Sequence, residues 1–131
     1  MFSKLTKLSL LSLLTITLTL TTSTAAQDPG IAFETYSDND CSGAVVNAKI
    51  RSIDGCTNIE ALPWSSYSVK LDGDSAELEC GESEQLILLI FDQAGCEGRV
   101  VEQGVPTAEG ACQNVANPSV LAASLRATCK G

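Results

Sequence analysis

From residue 31 onward the apolar positions follow a two-residue period and sustain no helical one. Val46, Ala48 and Ile50 alternate with Asn47, Lys49 and Arg51, as the two faces of a half-buried strand do. Tyr67, Val69 and Leu71 share one face, and Leu125, Ala127 and Cys129 share another near the C-terminus. Ile31-Ala32-Phe33 and the six-residue run Leu86 to Phe91 add two apolar, β-prone stretches, and Arg99 to Gln103 adds a shorter one. Asp54-Gly55 and Asp72-Gly73 mark turns, while Pro63, Pro106 and Pro118 stand between the alternating segments. Pro118 to Arg126 is the one place where a short helical turn could start. The pattern predicts an all-β fold.

The landmarks recur in the same order. Tyr36-x4-Cys41-x-Gly43 is matched by Phe91-x4-Cys96-x-Gly98 at an offset of 55. Cys56 then matches Cys112 at 56, and the stretch from Ser66 to Leu71 matches that from Ser124 to Cys129 at 58. Residues 31–71 and 86–129 therefore read as two copies of one unit packed around one core. Residues 72–85 lie between them as an acidic insertion long enough for an extra strand or hairpin.

The N-terminus carries a different signal. Lys4 and Lys7 precede a 13-residue apolar stretch, Leu8 to Leu20, and small residues then lead to a cleavage point after Ala26. A membrane span needs about 20 predominantly apolar residues, so 1–26 reads as a cleaved signal and 27–131 as one secreted, extracellular domain with no membrane span. All six cysteines (Cys41, Cys56, Cys80, Cys96, Cys112 and Cys129) lie in that part, with no two closer than 15 positions. Metal clusters need closer pairs, so three disulfides are expected.

Charge and composition narrow the function. Residues 27–131 hold 16 acids against 6 bases, a net charge of -10. That surface lacks the basic stripe that nucleic acid demands. With no histidine in the chain, Ser-His-Asp and Cys-His catalysis and His-containing zinc sites are excluded. A stapled domain this small also offers little cleft for paired carboxylates. No enzyme activity and no cofactor are expected.

The quoted landmarks resemble the βγ-crystallin family, whose double Greek-key motifs open with aromatic-x4-aromatic-x-Gly and end on a strand begun by serine. Tyr36, Gly43 and Ser66 fit one motif; Phe91, Gly98 and Ser124 fit the other. Cys41 and Cys96 replace the second aromatic. The resemblance implies two Greek-key motifs forming a single disulfide-stabilised β-sandwich. Within that frame the symmetric pairing is Cys41–Cys56 and Cys96–Cys112, leaving Cys80–Cys129, with exchange between the halves as the alternative. Microbial relatives bind calcium through paired Asn/Asp residues before the serines. Ala61 and Leu62, and Ser119 to Ala123, hold no such pair, so both sites are expected to be lost and no metal is expected.

The chain is also similar to microbial killer-toxin-like and small secreted fungal proteins. That likeness implies a non-enzymatic binding protein, an effector, antagonist or toxin-like protein that recognises an extracellular protein or cell-surface component. Its charge suits a basic partner. The alternatives are a structural extracellular or cell-wall protein and a protease inhibitor presenting Val105 to Gly110. A monomer is expected. Glu77, Glu79, Glu82 and Glu84, with Asp72 and Asp74 nearby, form the acidic candidate surface; the alternative is a solvated edge that deters aggregation. Trp64 and Tyr67 are candidates for a partner-stacking spot, against a core role. The intact mass of secreted protein should fit a start at Gln27, open or cyclised, less six hydrogens; retention of Leu8 to Leu20 would contradict cleavage.

Overall fold

The computed structural model describes residues 29–73 and 76–131, so the expected signal segment 1–26 and Asp74 lie outside the described residues. Eight strands follow one another: β1 (Gly30–Tyr36), β2 (Ala44–Ile50), β3 (Cys56–Asn58), β4 (Ser66–Asp72), β5 (Gln85–Gln93), β6 (Glu97–Gly104), β7 (Cys112–Asn114) and β8 (Ser124–Lys130). They build two four-stranded antiparallel sheets, ordered β2-β1-β4-β7 and β6-β5-β8-β3. The order is the same in both sheets, with one exchange. β3 leaves its neighbours to pair with β8, and β7 leaves its own to pair with β4.

Alternation explains the core. Ile31 and Phe33 of β1 and Tyr67 and Val69 of β4 share one cluster with Leu88 and Ile90 of β5 and Leu125 and Ala127 of β8. All eight are between 0 and 2% exposed. Each large apolar side chain so buried contributes roughly 1.5–3 kcal/mol. Ile50, Trp64, Leu78, Val115 and Ala122 complete the cluster.

After β1 and after β5 the chain folds tightly back. Cys41 and Gly43 take φ of 59° and 73°, and Cys96 and Gly98 take 57° and 78°. At Gly43 the positive φ favours glycine, and a Cβ there would stand 2.6 Å from Ser37 Oγ. A buried serine brackets each fold. Ser66 Oγ donates to the Asp38 carbonyl and accepts the Cys41 N–H at 3.0 Å. Ser124 Oγ donates to the Gln93 carbonyl at 2.5 Å and accepts the Cys96 N–H at 2.9 Å. These are the two serines that the sequence singles out, and both are fully buried.

The disulfides are Cys41–Cys112, Cys56–Cys96 and Cys80–Cys129. The pairs Cys41–Cys56 and Cys96–Cys112 do not occur. The exchange explains why: β3 carries Cys56 to the opposite sheet, where Cys96 lies 5.9 Å away between Cα atoms, and β7 carries Cys112 to within 5.8 Å of Cys41. The closed loops grow to separations of 71 and 40 residues. In the chain-entropy picture each such closure contributes about 4 kcal/mol, against about 3 for a 15-residue loop.

Two further expectations need correction. Residues 72–85 add no strand among the described residues; they form one 3-10 turn, Ala76–Leu78. The ends of β4 and β5 next to this connection pair with β1 and β8, whereas β7 and β6 pair only with residues further along, 66–68 and 88–93. Pro118 to Arg126 starts no helix either. A turn closed by Val120 N–H on the Asn117 carbonyl (3.1 Å) leads to β8. Ser66→Ala and Ser124→Ala should each cost about 1–3 kcal/mol in denaturant unfolding, because each strands backbone groups that the buried serine serves. Loss of less than about 0.5 kcal/mol at both would show that the serines do not hold the hairpins.

Candidate functional site

Two anchors within its first half hold the acidic candidate surface. Leu78, 5% exposed, sinks into the core from the 3-10 turn, and Cys80 is bonded to Cys129 on β8. The tetrapeptide that follows, Gly81 to Glu84, closes a turn: Glu84 N–H donates to the Gly81 carbonyl, and Gly81 N–H donates to Glu84 Oε1, both at 3.0 Å. Glu77, Glu79, Glu82 and Glu84 are all exposed. Glu82, Ser83, Glu84 and Gln85 face Lys130 and Gly131 across an open depression of about 560 Å³. Chemically this is an anionic, shallow surface. Glu84 spends one oxygen on its own turn, while Glu77, Glu79 and Glu82 stand exposed.

Trp64 and Tyr67 take the other role. They are 2% and 1% exposed, so neither ring face is available to a partner. Their centroids stand 5.5 Å apart, and Phe33 lies 6.5 Å from Trp64 and 6.0 Å from Tyr67. Each polar end is satisfied, as burial requires. Trp64 Nε1–H donates to the Val120 carbonyl at 2.8 Å, and Tyr67 O–H donates to Glu102 Oε1 at 3.0 Å. The other oxygen of Glu102 accepts Ala116 N–H at 2.7 Å. One carboxylate on β6 thereby ties its sheet to β4 and to the residues after β7.

Tyr36 and Phe91 occupy outward positions of β1 and β5. Tyr36 O–H donates to Glu34 Oε1 (2.7 Å), which leaves its oxygen to accept Ser68 O–H at 3.2 Å. Phe91 is 7% exposed and lies beneath the Arg126 guanidinium, 5.8 Å from the ring centre. Asn58 also serves the opposite half: its Oδ1 accepts the Gly95 N–H at 2.7 Å. Sequence reading passes over both Asn58 and Glu102. Each acts across the exchange, and a contact of that kind leaves no local period or spacing. Among the described residues no three His, Cys, Asp or Glu side chains converge as a metal would need.

Burial pushes the Tyr67 phenol upward, reinforced by the Glu102 carboxylate beside it. Tyr36 is raised too, by burial, against an opposing Ser68 hydrogen bond and with help from Glu34. A raised folded value means that the neutral phenol is favoured in the folded state. Its contribution is complete below the ordinary value of 10.0 and is lost as pH rises above it. Absorbance titration of the two tyrosines should therefore place both midpoints above about pH 10. Tyr67→Phe should also lose less stability than the parent between about pH 9 and pH 11; equal loss in the two proteins would remove Tyr67 as the cause.

Compared with protein families, with curated proteins and with solved structures, the chain matches none of them.

Proposed function

We propose that the chain is a secreted, non-enzymatic binding protein, built from two Greek-key motifs of the βγ-crystallin type, that engages a basic protein or cell-surface component. Three features support the frame: the exchange of β3 and β7, the same strand order in both sheets, and a serine bracketing each folded hairpin. The three disulfides accord with an oxidising compartment, and no helix among the described residues is long and apolar enough to cross a membrane.

One observation carries the binding reading. Glu77, Glu79 and Glu82 stand exposed on a segment pinned by buried Leu78 and by Cys80–Cys129. A held segment loses little freedom on binding, and its carboxylates attract a cationic surface over roughly a Debye length, about 8 Å at physiological ionic strength. The inhibitor reading has a narrower basis. Thr107 is held against β4, with Leu71 N–H on its carbonyl at 2.8 Å, and Cys112 ties down the far end, leaving Ala108 and Glu109 exposed between.

Affinity capture on the oxidised protein, with mass spectrometry of what is retained, identifies the partner. Replacing Glu77, Glu79, Glu82 and Glu84 with glutamine should then slow association about tenfold at low salt and flatten its salt dependence, with the melting temperature unchanged. An unchanged on-rate and salt slope would reduce the segment to a solvated edge.

A further inference from the structure

Each sheet ends in two outer strands, and three of the four are defended against pairing with another chain. β3 and β7 are only three residues long. β6 is interrupted by two register shifts against β5 and carries Glu97, Arg99 and Glu102. β2, seven residues long, is the least defended. Its pairing with β1 runs without a break from Val46 to Ile50, the one shift lying at its start. No acid occurs from residue 41 to 53, and β2 contains no proline. The one charged residue within β2, Lys49, is directed elsewhere. It crosses β1 at Gly30, where any Cβ would meet its stem, and pairs with Asp72 of β4 at 3.0 Å. Val45, meanwhile, is 38% exposed.

A trough of about 320 Å³ runs along this edge. Val45, Val46, Asn47 and Ala48 form one wall; Asn58, Ile59 and Glu60, which follow the exchanged strand β3, form the other. Main-chain groups on the outer side of β2 have no partner strand among the described residues. The complement to such an edge is an extended backbone, whose alternate side chains enter the trough. The wall specifies those side chains: aliphatic against Val46, Ala48 and Ile59, and cationic against Glu60.

We infer that the β2 edge and its trough form a docking site for an extended segment of a partner protein, one that alternates aliphatic residues with a lysine or arginine. The inference rests on the binding reading above and names the partner's form. The carboxylates of residues 77–84 would then govern approach, while β2 supplies the register.

The probe is a heptapeptide library displayed on phage and selected against the oxidised protein. Enriched peptides should alternate aliphatic and basic residues. Methylating alternate backbone nitrogens of the peptide, Val45→Lys and Glu60→Lys should each weaken binding at least tenfold, and bound peptide should slow amide exchange in Ala44–Ile50. Both substitutions are at exposed side chains, and thermal melts check that each variant folds. No enrichment, or peptides indifferent to both substitutions, would overturn the site. So would self-association abolished by Val45→Lys, since the occupant would then be a second copy. A captured natural partner that survives Val45→Lys and Glu60→Lys would leave the binding function standing while removing this site; failure of capture with every bait, alongside peptide binding at β2, would do the reverse.

Discussion

The exchange of β3 and β7 between the sheets, locked by Cys56–Cys96 and Cys41–Cys112, is the constraint on which the other features depend. Each exchanged strand is too short to hold itself by pairing alone, since a three-residue strand supplies few ladder bonds and buries little. The disulfides convert these weak contacts into fixed ones. Neighbouring backbone bonds act together with them: Ile59 N–H reaches the Ala123 carbonyl and Val115 N–H reaches the Ser65 carbonyl, both at 3.0 Å. The residues at those positions are the ones next to the bracketing serines. Exchange, hairpin and disulfide therefore form one connected unit at each end of the sandwich.

The outer faces of the two sheets differ in kind. On the β1–β2–β4 face, Glu34, Asn47, Tyr36 and Ser68 are joined by hydrogen bonds, and Asp72 accepts both Lys49 at 3.0 Å and Lys70 at 3.7 Å. On the other face β5 presents Ile87 and Phe91, which are nonetheless 6% and 7% exposed. The long run Leu86 to Phe91 pairs along β8, and from Leu88 it is also paired with β6. Partly exposed ion pairs contribute little, so the polar face favours solubility more than stability. The core and the disulfides supply the latter.

Legibility followed locality. Alternation in β1, β2, β4 and β8 is a property of neighbouring residues, so those strands and the inward positions Phe33, Val69 and Leu125 can be read directly. Ser66 and Ser124 are legible because each stands at the same place in a recurring order of landmarks. β3 and β7 are not, since Cys56-Thr57-Asn58 and Cys112-Gln113-Asn114 carry no apolar period and are strands only because another segment pairs with them. The symmetric disulfide pairing fails for the same reason: symmetry relates Cys41 to Cys96 and Cys56 to Cys112, but allows bridges within or between halves equally. The exposure of Glu77, Glu79, Glu82 and Glu84 is readable from their charge; the turn that presents them is not, because it is held by Leu78 in the core and by the Cys80–Cys129 bridge, contacts distant in sequence.

The crossed bridges Cys41–Cys112 and Cys56–Cys96 join the two halves of the chain, so their connectivity tests the architecture most directly. Digestion of the unreduced protein after lysine, arginine and glutamate leaves each cysteine on a separate peptide, and mass spectrometry then identifies the linked pairs. Cys41–Cys112, Cys56–Cys96 and Cys80–Cys129 are the pairs predicted. Recovery of Cys41 linked to Cys56 and Cys96 linked to Cys112 would contradict the exchange, and with it the fold described.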